Sequence, residues 1–211
     1  MTDTFRVFLV DDQPALLKAM ARLLTLENFE TVSYGSAGEF IASGNLNAMG
    51  CLILDLSMPH MDGMQLQQLL RDKKCSLPVI FLTGHGSIEA GVRAMKLGAA
   101  DFLTKPVQKD TLLAAIRSAF EQCRASHAVE LTQHEFSSRL ASLTPREQEV
   151  LELVIAGRLN KQIAGELGTA EQTVKIHRAR VMTKMKVRSI AELVQAMEHY
   201  KAYCNNQLLS G

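Results

Sequence analysis

Four short apolar runs in the first half of the chain each lead into a polar residue that a hydrophobic strand has no use for. Cys51-Leu52-Ile53-Leu54 ends on Asp55, residues 5–10 end on Asp11-Asp12, residues 79–82 end on Thr83, and Phe102-Leu103 is followed by Lys105. Between the runs lie segments whose apolar residues recur at helical spacing: Leu16, Leu17, Met20, Leu23 and Leu24 after the first, residues 64–70 after Gly63, and Ile88, Val92, Met95 and Leu97 before the last. With a further strand-like run at 31–34 and a short helix at 37–42, residues 5–120 form five alternating β and α units. That alternation predicts an α/β domain, a doubly wound five-stranded parallel sheet with helices on both faces. Open sheets of this kind carry their sites at the carboxyl ends of the strands. Asp11, Asp12, Asp55, Thr83 and Lys105 are therefore predicted to meet in one acidic, metal-ready pocket with Asp55 as its central nucleophile.

At 211 residues and 47% hydrophobic, the chain has room for two such cores. No Pro or Gly interrupts residues 108–143, so the helix that begins near Leu112 is expected to run on through a polar connecting stretch, semi-rigid where helical. The division expected is a first domain at 1–120, a helical linker at 121–142 and a second domain at 143–211. Thr144, Pro145 and Glu147 read as the cap, first turn and capping-box partner of a helix whose apolar face is Val150, Leu151, Val154 and Ile155. A short helix at 160–167, a turn at Gly168, a basic helix at 171–185 and a last helix at 189–200 complete an all-α four-helix domain with the helix-turn-helix pattern.

Charge separates the two parts. Eight basic and two acidic residues lie between Arg158 and Arg188, a net of +6, while the rest of the chain sums to −5. A polyanion partner for the carboxyl-terminal part follows. The polar start of the chain and the lack of any stretch of about 18 apolar residues predict no membrane span and a cytoplasmic location. Cys51, Cys75, Cys123 and Cys204 are widely spaced without metal-ligand pattern and read as reduced thiols.

The residues of the first part and their order resemble the receiver (CheY-like) domain of two-component response regulators. The matching motifs are Val10-Asp11-Asp12, Leu54-Asp55-Leu56-Ser57-Met58-Pro59, Asp62-Gly63, Leu82-Thr83-Gly84, Gly98-Ala99-Ala100-Asp101-Phe102 and Thr104-Lys105-Pro106. The resemblance implies that Asp55 accepts a phosphoryl group from a sensor histidine kinase. Mg²⁺ would be held by Asp11, Asp12, Asp55 and the backbone carbonyl of Ser57. The Thr83 hydroxyl and the Lys105 ammonium would bind the phosphoryl oxygens. It implies a switch through Thr83 and Phe102, and a homodimer face that includes Val92, Met95, Lys96 and Asp101. His60 stands at a loop position that varies in the family and reads as a surface residue or a tuner of dephosphorylation. Gly84-His85-Gly86-Ser87 gives the switch loop two glycines and an expectation of mobility.

The second part resembles the DNA-binding domain of LuxR/FixJ/NarL regulators, with FixJ-like regulators nearest along the whole chain. Leu143-Thr144-Pro145-Arg146-Glu147, Asn160-Lys161-Gln162-Ile163-Ala164 and Thr173-Val174-Lys175-Ile176-His177 carry it. On the basic helix, Val174, Val181 and Met185 fall on one side and are expected in the core, while Gln172, Lys175, Ile176, Ala179 and Thr183 form the stripe for the major groove. Lys175 is expected at a base edge, Ile176 in apolar contact, and Thr173, Arg178, Arg180 and Lys184 at phosphates. Ala179 brings no hydrogen bond to its place in the groove, and His177 reads as structural. Ala170 stands where relatives often carry the helix-capping Ser or Thr, so a cap from Thr169 with Gln172, one residue earlier, is the substitute considered.

The reading is a phosphorylation-controlled transcription regulator, expected to activate through paired half-sites on double-stranded DNA with RNA polymerase as a further partner. Beyond accepting and losing a phosphoryl group it is not expected to be a dedicated enzyme. A haloacid-dehalogenase-type phosphatase would want a second Asp two places after the nucleophile, where this chain has Ser57. The alternative of another class is a phosphorylation-independent DNA-binding protein that uses its receiver only to dimerise.

Overall fold

Two faces of one sheet explain the unbroken apolar runs. Five strands, β1 (Arg6–Val10), β2 (Glu30–Tyr34), β3 (Gly50–Leu54), β4 (Val79–Thr83) and β5 (Asp101–Thr104), pair in parallel in the order β2-β1-β3-β4-β5. All five residues of β3 and of β4 are buried, because helices cover both sides and no face is left for polar side chains. Val7, Leu9, Cys51, Ile53, Ile80 and Leu82 point to one side, against α1 (Pro14–Leu26) and the amino-terminal part of α5 (Lys109–Ala141). Phe8, Leu52, Leu54 and Phe81 point to the other, against α2 (Ala37–Ala42), α3 (Gly63–Asp72) and α4 (Ile88–Lys96). The structure is a computed structural model that describes residues 5–84 and 88–209, so His85, Gly86 and Ser87 of the glycine-bearing loop lie outside the described residues.

The chain divides into two compact units, Met1–Ala128 and Val129–Gly211, and the division falls inside α5, a single helix of 33 residues. The second unit holds the end of α5 with α6 (Pro145–Ile155), α7 (Asn160–Glu166), α8 (Glu171–Met185) and α9 (Ile190–Leu209). Val150, Leu151, Val154, Ile163, Val174, Val181, Met185 and Leu193 form its core, and Phe136 from α5 joins them, its ring 5.1 Å from that of Tyr200. A capping box starts α6: Thr144 Oγ1 accepts the Glu147 N–H, and the Glu147 carboxylate accepts the Thr144 N–H. Positive φ at Gly157 and Gly168 lets the chain leave α6 and α7 in a left-handed turn that side chains resist.

One expectation about α8 is corrected. The helix starts at Glu171 with Ala170 as its N-cap and no side-chain hydrogen bond there, so the Thr169–Gln172 cap does not form. The Thr169 N–H is taken by the Ala164 carbonyl, which closes α7, and Glu171 in the first turn supplies negative charge to the helix start instead.

Candidate functional site

The strand order reverses between β1 and β3, which lie side by side in register with Val10 opposite Leu54. The next residue on each strand, Asp11 and Asp55, therefore emerges at the same crevice, where open sheets of this type bind ligands. The Asp55 N–H bonds the Val10 carbonyl at 2.9 Å, so the ladder itself fixes the depth of Asp55. Oxygens of Asp11, Asp12 and Asp55 all lie within 4.8 Å of one another. From the end of β5, Lys105 reaches in: its Nζ is 2.7 Å from Asp11 Oδ2 and 3.2 Å from Asp55 Oδ1. The Lys105 N–H bonds the Thr83 carbonyl at 2.8 Å, which ties the two strand ends together. Thr83 closes β4 with 1% of its surface exposed.

The charges do not balance. Among the described residues three carboxylates gather around one ammonium, and both Asp11 and Asp55 are buried. Asp55 Oδ1 is buried with no hydrogen-bond partner, its contact with Lys105 being electrostatic. Burial holds the Asp55 carboxyl above its ordinary value; the Lys105 ammonium pulls it down, and Asp11 pushes it up. Clustered hard oxygen donors with a surplus of negative charge are what a small divalent cation needs. The donor set fits such an ion.

Gly63 shapes the same crevice. It begins α3 behind the Asp62 cap, and a Cβ there would lie 2.4 Å from the Asp55 carbonyl oxygen and 3.1 Å from Leu56 Cα. Only a residue without a side chain lets α3 start against the backbone of Asp55. Ser57 and His60 lie in the loop between β3 and α3, with His60 exposed and at φ 67°.

Phe102 on β5 is half-buried, its ring 6.0 Å from that of Phe81 and alongside Gly91 of α4. The Asp101 carboxylate accepts the Phe102 N–H at 2.7 Å. Val92, Met95 and Lys96 are exposed on α4, and Ile88, 88% exposed, extends their apolar stripe by one turn. Sequence reasoning placed Ile88 on the helix but not on this face; its spacing of four from Val92 is the signal that points to it.

On α8, Val174, Val181 and Met185 are fully buried, while Gln172, Lys175, Ile176, Ala179, Arg180 and Thr183 are exposed. Thr173 is half-buried, and so is His177, whose Nδ1 is buried without a hydrogen-bond partner. Lys175 pairs with Glu171 at 3.4 Å on the surface. Arg178 donates to Asn160 Oδ1 at 2.8 Å, joining α8 to the first turn of α7. Lys184 is bound to the buried Glu147 carboxylate and to the Ser142 carbonyl. The exposed cations of α8 are thus Lys175 and Arg180, while Arg178 and Lys184 are engaged within the unit.

Comparison with known proteins assigns both parts. Residues 7–117 match the response regulator receiver domain, and residues 141–197 match the luxR family of bacterial regulatory proteins. The chain is 41% identical over 195 residues to the response regulator protein TodT of Pseudomonas putida, covering 92% of this chain and 86% of that one. It is 40% identical to the transcriptional regulatory protein FixJ of Rhizobium meliloti, over 92% and 95% of the two chains. Among solved structures, response regulator StyR matches with a TM-score of 0.84 at 42% identity, over 93% of this chain and all of that one. No helix among the described residues is long and apolar enough to cross a membrane.

Proposed function

Since the chain belongs to the response regulators that join a receiver to a LuxR-type DNA-binding domain, we propose that phosphorylation of Asp55 by a sensor histidine kinase governs its DNA binding. The observation that carries this reading is the buried Asp55 carboxylate, with Asp11 and Asp12 beside it and the Lys105 ammonium 3.2 Å from its Oδ1, at the strand-order reversal. An Asp55 oxygen attacks the phosphorus of a phosphohistidine, and the P–N bond breaks as the P–O bond forms. Asp11, Asp12, Asp55 and the Ser57 carbonyl would hold Mg²⁺, which would supply the charge neutralisation that phosphoryl transfer requires. Lys105 leaves its carboxylate partners for a phosphoryl oxygen, and the Thr83 hydroxyl bonds another.

That rearrangement acts on the end of β4, where Thr83 faces Thr104 of β5 and Phe102 lies two residues back opposite Phe81, so a displaced Thr83 alters the packing of Phe102 against α4. The exposed stripe of Ile88, Val92 and Met95, flanked by Lys96 and Asp101, forms the face on which two phosphorylated copies pair. Paired α8 helices then enter successive major grooves with Lys175 and Ile176 at base edges and Ala179 close to the groove floor. Thr173, Arg178 and Arg180 lie at the phosphate backbone. The protein acts in the cytoplasm on promoter DNA, with RNA polymerase as its downstream partner.

Acetyl phosphate with Mg²⁺ tests the first step. Wild-type protein takes up the phosphoryl group and Asp55→Asn does not, measured on phosphate-affinity gels; equal uptake overturns the assignment. Equal DNA affinity with and without beryllofluoride and Mg²⁺ would leave the receiver as a dimerisation module alone.

A further inference from the structure

One carboxylate oxygen in the second unit does two jobs. Glu147 Oε2 accepts the Thr144 N–H at 2.9 Å, completing the cap of α6, and accepts Lys184 Nζ at 2.6 Å. The same ammonium donates to the Ser142 carbonyl at 2.9 Å, immediately after the end of α5. Two of its three donors are thus spent on acceptors inside the protein. Glu147 is 3% exposed, so removing Lys184 from it strands a desolvated charge. A phosphate contact by Lys184 has to overcome that cost; Arg180, exposed and without a carboxylate partner among the described residues, does not.

Arg178 makes the second polar tie of α8, to Asn160 of α7. The two ties leave the helix at different heights and in different directions, while Val174, Val181 and Met185 seat its inner face. Together they fix rotation about the helix axis, and rotation decides which side chains face outward. We propose that Lys184 is a positioning residue, which locks the DNA-contacting helix to the start of α6 and the end of α5 and so sets the aim of Lys175 and Ile176 instead of neutralising a phosphate. The inference rests on the reading of α8 as the DNA-contacting helix.

Three roles for Lys184 leave different traces. Full-length protein with beryllofluoride and Mg²⁺ is tested on a duplex selected by the wild-type chain from a random pool and on a scrambled duplex of equal length, across a salt series. Failure of the selection to recover any preferred sequence sinks the DNA reading itself, and the positioning role with it. With positioning, Lys184→Met lowers affinity for the selected duplex about tenfold, the size of one badly read base pair, and leaves the scrambled duplex unaffected. Its salt slope is also unchanged, whereas Arg180→Ala reduces the slope by about 0.9. Lys184→Arg, which keeps a donor for Glu147, restores most of the loss. A slope reduced by about 0.9 in Lys184→Met, with equal loss on both duplexes, overturns the proposal in favour of a phosphate contact. A lower melting temperature with both affinities unchanged overturns it in favour of stability alone. If Lys184→Met does not fold, Glu147→Gln carries the same comparison, because its amide oxygen still accepts the Thr144 N–H while the negative charge that holds the Lys184 ammonium is gone.

Discussion

Both units bury a carboxylate against a lysine, and the two pairs behave oppositely. In the receiver, Lys105 is the one cation paired with Asp11 and Asp55 among the described residues, Asp12 lies beside them, and burial leaves the Asp55 carboxyl above its ordinary value. In the second unit, Glu147 has one lysine to itself plus the Thr144 N–H, and these bonds hold its carboxyl down to about 2 in spite of burial. The same residue types thus give a site that is short of positive charge and a joint that is complete. Under-compensation suits the Asp55 site to a cation and to the phosphoryl transfer proposed for it; full compensation suits Glu147 to a structural joint.

The largest effect that would break the contrast lies in acid. The Glu147 carboxyl is lowered on folding, so its stabilisation is present above the ordinary value of 4.5 and is lost as pH falls toward about 2. Between those pH values the wild-type second unit should lose on the order of 3 kcal/mol more than Glu147→Gln. Hydrogen exchange of its core amides reads this, and parallel pH profiles would show that the joint is not compensated as described. Next comes the cation. Mg²⁺ at about a hundredfold over its Kd should stabilise the receiver by about 2.7 kcal/mol in thermal melts. Asp12→Asn should lose most of that gain and Glu147→Gln none; a gain kept in Asp12→Asn removes Asp12 from the site.

Gly63→Ala sharpens the receiver side, because its Cβ meets the Asp55 carbonyl. It should cost about 2 kcal/mol in urea melts and slow phosphorylation by acetyl phosphate. Wild-type stability and rate would mean that α3 does not brace Asp55. The smallest effect is Lys175→Ala, about 1 kcal/mol in affinity for a selected duplex, since the Lys175 ammonium must first leave Glu171. Unchanged affinity and base preference would take Lys175 off the groove face.

Much of the receiver is legible in the sequence because a parallel strand covered on both sides has to be apolar throughout. Asp11, Asp55 and Thr83 stand out at the ends of such runs, and one sheet then brings those ends together. The joint between Glu147 and Lys184 is not legible. Its partners lie 37 positions apart, and Glu147 already has a sufficient local reason to exist as the capping-box residue of α6. A lysine in the last turn of a basic helix looks free for DNA until tertiary packing turns it inward. The start of α8 misleads for a related reason: Thr169 has the right chemistry for a cap, but the close of α7 takes its backbone first. Helical spacing closes the last helix near Tyr200, yet α9 continues to Leu209, since no Gly or Pro stops it.

The recruitment of Phe136 bears on how the molecule can be taken apart. A fragment cut just before the Thr144 cap would keep all of α6 to α9 while discarding the aromatic partner of Tyr200 and the carbonyl that receives Lys184. Such a piece exposes a hole in its own hydrophobic floor, and its weakness would be mistaken for a property of the intact regulator. A cut near Val129 keeps that floor whole.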